Sequence, residues 1–227
     1  MNITMKTLKF LMLPVLTCLF LVATSATDAS KETERIHNSA NVIKAFSDMR
    51  ESIPHDLIAQ YSGIVIIPHM INAGFGIGGK RGKGVAMVKL PDGRWSDPVF
   101  VTLTGGSFGL QIGVQSVDLV LVFKHRGVLT KVKNGDFTIG GDISAAAGPV
   151  GRSGTASTDA ALRAEVYSYS RSRGLFAGIT INGANLAIDK DADHNFYGPG
   201  FSSQDIFMDS KSNTEGVVLL KHTLEAL

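Results

Sequence analysis

The chain of 227 residues contains one cysteine and one tryptophan, and aromatic residues make up only 7% of it. One cysteine excludes both a disulfide framework and a zinc site built from cysteines. So few aromatic side chains do not provide the stacking platforms on which proteins hold single-stranded nucleic acid. The formal net charge is only +2, whereas a nucleic-acid-binding domain carries a strongly basic surface. We therefore expect no nucleic acid partner.

What the chain does contain is typical of a folded protein. Hydrophobic residues make up 44% of it and charged residues 19%, which excludes an intrinsically disordered chain. Its 25 glycines follow no three-residue period, so it is not collagen-like. The length suits one domain, and no linker of proline, serine or charge divides residues 31–227. We predict a single domain over that range.

Residues 1–26 have the pattern of a secretory signal peptide. Two lysines precede an apolar run of 14 residues, Phe10–Ala23, which is shorter than the roughly 20 residues that span a bilayer. Cleavage after Ala26 removes two of the 22 basic residues and none of the 20 acidic ones, so the mature chain is formally neutral. An uncleaved anchor and a lipoprotein modified at Cys18 are the alternatives. The pattern predicts an exported protein, periplasmic or envelope-associated, that begins near Thr27.

The periodicity of the mature chain predicts helices at both ends and strands between them. Apolar residues in 31–52 recur at helical spacing, and Val217–Leu227 also has an apolar face. Ile64–Ile67 is uniformly apolar, as in a strand that is buried on both sides. Short strand-like segments follow, three of them between Val99 and Phe123, and Asn182–Gly183 predicts a hairpin between the strands on either side of it. This order predicts an α+β fold whose core is an antiparallel, glycine-rich sheet of many short strands.

Two glycine motifs resemble catalytic or nucleotide-binding loops but stand in the wrong context. Gly74–Gly79 has the spacing of a dinucleotide- or phosphate-binding loop, which requires a helix directly after it. Gly105–Gly109 has the G-x-S-x-G spacing of a hydrolase nucleophile at Ser107, but the next residues alternate like a strand. We therefore predict a protein that is not an enzyme and takes no cofactor. A serine hydrolase that uses Ser107 is the least favoured alternative.

Asp189, Asp191 and Asp193 place carboxylates at every second position, as at the start of an EF-hand calcium loop. His194 and Gly200 occupy the positions where that loop needs a glycine and a bidentate glutamate. A calcium site is therefore a weak candidate, and a solvated turn is the favoured interpretation. No two of the six histidines are four residues apart, so we predict no zinc site.

Glycines and basic residues occur together. Gly74–Gly78 and Gly82–Gly84 place glycine at every second position, which aligns them on one face of a strand. Such a face either lets another surface approach closely or shapes sheet curvature. Cations beside apolar strands suit anionic lipid headgroups, while ordinary solvated turn charge is the alternative. The candidate headgroup-binding residues are Lys80, Arg81, Lys83, Arg126, Arg171 and Arg173.

Seven segments stand in an order that is typical of one family. They are Trp95–Pro98, Gly105–Gly113, Asp118–Phe123, Ala147–Arg152, Tyr167–Arg171, Gly174–Gly178 and Asn195–Gly198. In this order the chain resembles the SYLF domain, the lipid-binding domain of the Ysc84-like family. The resemblance covers roughly residues 36 to 200. It implies a domain that binds phosphoinositide or other anionic lipid and that eukaryotic relatives join to other modules and to actin assembly.

The predicted export signal, and the expected lack of a second module, set the chain apart from that pattern. We therefore expect anionic membrane lipids of a general kind as its partners, and we do not expect actin. A structural or protein-interaction module of the envelope is the alternative, with a partner bound at a sheet edge or on the glycine-rich face. The resemblance supplies no catalytic residue.

Overall fold

Two very long strands organise the protein. The structure is a computed structural model that describes residues 30–49, 53–130, 136–149, 164–172, 175–178, 181–209 and 211–227. Helix α1 covers residues 30–47. The next elements are α2 (His55–Gln60), β1 (Gly63–Val88), β2 (Val99–Phe123) and α3 (Gly127–Thr130). The remaining elements are β3 (Asp136–Ile139), β4 (Ala145–Ala147), β5 (Val166–Ser172), β6 (Leu175–Gly178), β7 (Ala184–Ile188), α4 (Lys190–Tyr197), α5 (Ser203–Phe207) and α6 (Glu215–Glu225).

Strand β2 connects all parts of a seven-stranded sheet. It runs antiparallel to β1, from Phe123 opposite Gly63 to Val99 opposite Ala86. On its other side, the first part of β2 pairs with β7 and the last part with β5. Beyond these, β3 pairs with β7, and β4 and β6 pair with β5. The predicted α+β class, with a mainly antiparallel sheet and helices at both ends, is confirmed.

Both faces of the sheet are buried, which explains the uniformly apolar start of β1. Ile64 and Ile66 belong to a core shared with α1, α2 and α6. Val65 and Ile67 point to the other face and belong to a second core with β7, α3 and α5. Successive side chains of a strand point to opposite faces. A run without polar residues is therefore what a strand between two cores requires.

The strand boundaries and one pairing differ from the sequence predictions. Segments predicted as separate strands between Val99 and Phe123 form one strand, because β1 provides hydrogen-bonding partners along nearly all of it. The turn at Asn182–Gly183 is present, with Gly183 at φ +74°. The predicted hairpin across it is wrong, since β6 pairs with β5 while β7 pairs with β2 and β3. Turn chemistry sets the local chain direction, but burial selects the pairing partner.

The two glycine motifs lie inside strands. β1 continues through Gly74–Gly79 and β2 continues through Gly105–Gly109. A phosphate-binding loop and a nucleophile elbow both require a sharp turn into a helix. Neither motif has that turn, so the structure favours neither a nucleotide site nor a hydrolase centre at Ser107.

The second half of β1 folds back against its first half. A Cβ atom at Gly84 would overlap the carbonyl oxygen of Ile66, and one at Gly82 would overlap the side chain of Ile67. Where another part of the chain approaches the backbone this closely, only the hydrogen atom of glycine fits. The close approach that glycine spacing suggested is therefore present at these two positions.

No helix in the described ranges is both long enough and apolar enough to span a bilayer.

Candidate functional site

A two-stranded ribbon projects from the sheet between the buried ends of β1 and β2. We define the ribbon as Ile71–Lys80 of β1 together with Gly105–Ser116 of β2, in which Ile71 lies opposite Ser116 and Lys80 opposite Gly105. β7 pairs with β2 only up to Gly105, and β5 pairs with β2 only from Asp118 onward. Wherever burial is described, the ribbon is exposed or half-buried. A ribbon with two strands has little stability of its own in water, so this is the part of the sheet best suited to contact another surface.

The ribbon combines apolar exposure with an absence of acidic residues. Neither Ile71–Gly84 nor Thr102–Val117 contains an aspartate or glutamate. Ile71 is 45% exposed and Val114 is 71% exposed. Val114 lies opposite Ala73, two residues from Ile71, so both apolar side chains belong to one face. This face can meet an apolar layer without bringing negative charge to it.

Three of the predicted cations lie where the ribbon re-enters the core, but they are not equivalent. Arg81 is exposed and makes no ion pair with any residue in the described ranges. Lys80 is half-buried on the opposite face of the strand, and burial lowers the pKa of its ammonium group. Lys83 shares the face of Arg81 but donates to the Asp189 carboxylate at 3.0 Å. Of these three cations, Arg81 is therefore the most available to a ligand.

Asp189 ties this end of the ribbon to the helices. Its carboxylate accepts from Lys83 and, at 3.1 Å, from Arg35 of α1. It also caps α4 by accepting the N–H of Ala192 at 3.4 Å. Burial raises the pKa of Asp189, but the hydrogen bonds and charges of the two cations outweigh that effect and hold the pKa below its usual value. Lys83 thus serves to fix the ribbon rather than to present charge.

The other predicted cations lie on separate elements. Arg126 is exposed directly before α3. Arg171 of β5 donates to Asp118 at 2.6 Å and 3.2 Å. The same buried carboxylate accepts the N–H of His69, which has φ +50° at a bulge of β1, at 3.0 Å. Arg171 is therefore engaged in shaping the sheet. Arg173 lies outside the described residues.

The acidic segment after β7 is a helix and not a solvated turn. Asp189 is the N-cap of α4, and Asp193 is buried on its inner side, whereas Asp191 is exposed. Acidic residues are favoured at a helix N-terminus, which explains their spacing. In the described part of the chain no group of acidic, histidine or cysteine residues could hold a metal ion. The three carboxylates do not converge as calcium ligands would.

Asp193 links three elements from inside the protein. Only 2% exposed, it accepts the N–H of Phe100 in β2 and the hydroxyl of Ser203 in α5, each at 2.8 Å. Burial raises the pKa of this carboxyl to about 6, and these two hydrogen bonds limit the rise. The native state therefore binds a proton more tightly than an unfolded chain, in which an aspartate has a pKa near 3.9.

We expect the free energy of unfolding to fall as pH rises from about 4 to about 6, because in this window Asp193 is protonated only in the native state. Asp193→Asn keeps an acceptor for Phe100 and offers an amide N–H to Ser203. The variant should lack this decline. The difference in free energy of unfolding between the wild type and the variant should therefore change by roughly 2 kcal/mol across this pH window. Urea unfolding of both proteins at several pH values measures it. Parallel curves would contradict the assignment.

Sequence reasoning missed the buried acids and the apolar face. Asp118 is the one acid in the run from Val117 to Phe123, and a charge within a buried strand is a usable signal for an internal ion pair. Asp193 carried no such signal, because its neighbours suggested a surface loop. Ile71 and Val114 were not singled out, because only the structure reveals that no further strand covers the ribbon.

Comparison with known proteins identifies the class of this sheet-and-helix domain. Residues 104–227 match the family model Ysc84, described as Las17-binding protein actin regulator. Arg81 and its two neighbouring lysines precede the matched residues. The matched range is more than half of the chain, so the protein belongs to the Ysc84 family, as the sequence resemblance indicated.

Similar proteins occur in vertebrates and yeast. A Xenopus laevis protein named SH3 domain-containing YSC84-like protein 1 is 36% identical over 172 residues, which cover 74% of this chain and 50% of that protein. The Homo sapiens protein of the same name is 33% identical over 175 residues, covering 74% and 51%. LAS seventeen-binding protein 3 of Saccharomyces cerevisiae is 35% identical over 149 residues, covering 64% and 32%. The chain thus spans about half the length, or less, of these curated relatives.

These relatives correct one expectation about partners. The sequence analysis set actin aside because of the export pattern. The family description names an actin regulator, and the yeast relative is named for binding Las17. Excluding an actin-linked role was therefore wrong, because a property of the N-terminal segment was used to judge the partners of the folded part.

Proposed function

We propose that this protein is a non-enzymatic binding domain that attaches to anionic membrane lipid through the ribbon. In this proposal Arg81 contacts headgroup phosphate, Lys80 assists it, and Ile71 and Val114 contact the apolar layer beneath. The observation that carries the proposal is a ribbon that has exposed apolar side chains and no acidic residue, with Lys80 and Arg81 where it re-enters the core. Cations near a membrane surface each add about 1 kcal/mol of attraction to anionic lipid.

The neighbouring lysine provides a matched control. Arg81 is exposed and unpaired among the described residues, whereas Lys83, two residues further on, is held by Asp189. If headgroups bind through available charge, the two positions should respond differently to the same substitution. Both are exposed, so neither change should disturb folding by more than about 1 kcal/mol.

We expect Arg81→Gln to weaken binding to anionic vesicles up to about fivefold, and addition of Lys80→Gln to bring the loss to about tenfold, with about thirtyfold as the upper limit for two charges. Lys83→Gln should leave binding within about twofold, because its charge is already partnered. Flotation with phosphatidylserine-containing and neutral vesicles, at low and high salt, measures these losses. Equal losses in Arg81→Gln and Lys83→Gln, or binding that is insensitive to salt, would refute the proposed contact.

A second candidate function is binding to a protein of the actin machinery. Its support is the name of the yeast relative and the family description. The outer edge of β1 pairs with no other strand in the described part of the sheet. Along the ribbon this edge is exposed or half-buried wherever burial is described, and such an edge can accept a strand from a partner. Pull-down of purified Las17 and cosedimentation with filamentous actin test this candidate. Binding there without vesicle binding would favour the protein partner over the lipid.

We also propose that the chain is exported and acts at the cell envelope. Support comes from the signal-like residues 1–26, which lie outside the described residues. Intact-mass measurement of the protein from its native host should give a chain that begins near Thr27. A chain that retains Met1 would contradict cleavage, and a lipid-modified Cys18 would indicate anchoring.

A further inference from the structure

A groove separates the turn after β1 from helices α3 and α5, and none of its lining residues belongs to the ribbon. Its volume is about 840 Å³, within the range of about 300–1,000 Å³ that small-molecule sites occupy. The floor is apolar: Val88 and Phe207 are buried beneath it, and Leu90, Pro91 and Met208 form its sides. Met208 is 76% exposed, so the groove leaves a large apolar side chain in contact with water.

Among the residues that the structure describes, the rim of the groove carries one cation and no acid. Arg126 is exposed and makes no ion pair with the residues that the structure describes, and the other polar lining side chains are the neutral Thr130 and Gln204. Asp205 is a neighbour of Gln204, but its carboxylate accepts from the backbone N–H and the hydroxyl of Ser202. An anion at this rim would therefore meet an available guanidinium and no competing carboxylate.

We propose that this groove binds a single-chain amphipathic anion, with the alkyl chain along the Val88–Phe207 floor and the anionic group on Arg126. The proposed ligand follows from charge complementarity, because an apolar trough that is lined, among the described residues, by one unpaired cation matches a molecule of that form. The guanidinium suits carboxylate and phosphate equally well. The ligand class therefore includes fatty acids and alkyl phosphates. The inference does not depend on the ribbon or on membrane attachment.

The test uses monomeric ligands below their micelle concentrations, so no membrane surface is present. Calorimetric titration of the full chain with octanoate and decanoate should give an affinity that rises about fourfold for each added methylene, which is the gain from burying that group. Decyl phosphate in place of decanoate distinguishes the two anionic groups. Decan-1-ol has the same chain without charge and should bind about tenfold more weakly than decanoate.

Two substitutions test the contribution of the Arg126 charge and that of the apolar contact separately. Arg126→Gln should weaken decanoate about tenfold and leave decanol unchanged. Met208→Asp, at an exposed position, should weaken decanoate further, because it adds a carboxylate and removes apolar contact. Lys44→Gln is the control, since Lys44 is exposed on α1, which packs against the other face of the sheet.

The affinities of the wild type and the three variants together test the proposal. Loss with Arg126→Gln and Met208→Asp but not with Lys44→Gln would establish the site. No detectable binding of decanoate or decyl phosphate to the wild-type chain would overturn the proposal. So would an affinity that does not depend on chain length, or an equal loss in the Lys44→Gln control.

Discussion

Replacing Gly84 with alanine should lower the free energy of unfolding by about 3 kcal/mol or more. The added methyl would overlap the carbonyl oxygen of Ile66, and its carbon would lie 2.8–2.9 Å from the Ile66 carbonyl carbon and the Ile67 Cα. Overpacking against side chains typically costs about 1–3 kcal/mol. Here backbone opposes backbone, so two segments of β1 must move apart. Urea unfolding followed by circular dichroism measures the loss.

Two other glycines of β1 serve as comparisons for the Gly84→Ala variant. Gly79→Ala places its methyl 3.8 Å from the Gly105 carbonyl oxygen, which is an ordinary contact, and stability should change by no more than about 0.5 kcal/mol. Gly82→Ala meets mainly the Ile67 and Met70 side chains, which can adjust, so its loss should be intermediate. If all three variants unfold alike, the two halves of β1 do not touch as described.

The second large effect is expected at Asp97, which holds the C-terminal part of the chain to the turn before β2. Its buried carboxylate accepts from the Lys221 ammonium at 2.6 Å and from the N–H groups of Lys211 and Ser212 at 3.1 Å and 3.0 Å. Asp97→Ala removes all three acceptor contacts and leaves the largely buried Lys221 without this carboxylate. Breaking a buried pair in this way costs about 3–5 kcal/mol.

The loss of Asp97 should also have a local effect on α6. Amide hydrogen exchange in α6 should accelerate in Asp97→Ala before exchange in β1 does, because Lys221 lies on α6. Asp92→Ala, five residues earlier, is the control: its partner Arg94 is exposed, as Asp92 is, and exposed pairs contribute little. Stability equal to that of the Asp92→Ala variant would show that Asp97 holds nothing in place.

How far the sequence predicted this molecule depended on how local each signal was. The helical stripe of α1, the apolar run from Ile64 and the turn at Asn182–Gly183 are visible within a few residues, and all three are present. The partner of β7 was not predictable, because it depends on which apolar faces meet across the whole chain. For the same reason Arg81 and Lys83 looked alike in the sequence, although the carboxylate that distinguishes them lies at Asp189.

The folding-back of β1 limits how the protein can change its length. Gly84 and Ile66 are in contact at the base of the ribbon. The two ends of the ribbon segment of β1 are therefore held against each other. A residue inserted into β1 alone would shift every side chain beyond it to the opposite face. Insertions or deletions of two residues preserve both faces, and β2 already has two residues more than β1 within the ribbon, between Gly109 and Ile112. We therefore expect natural length variation in the ribbon to occur in steps of two residues, and changes of a single residue to be confined to the turn between Lys89 and Pro98.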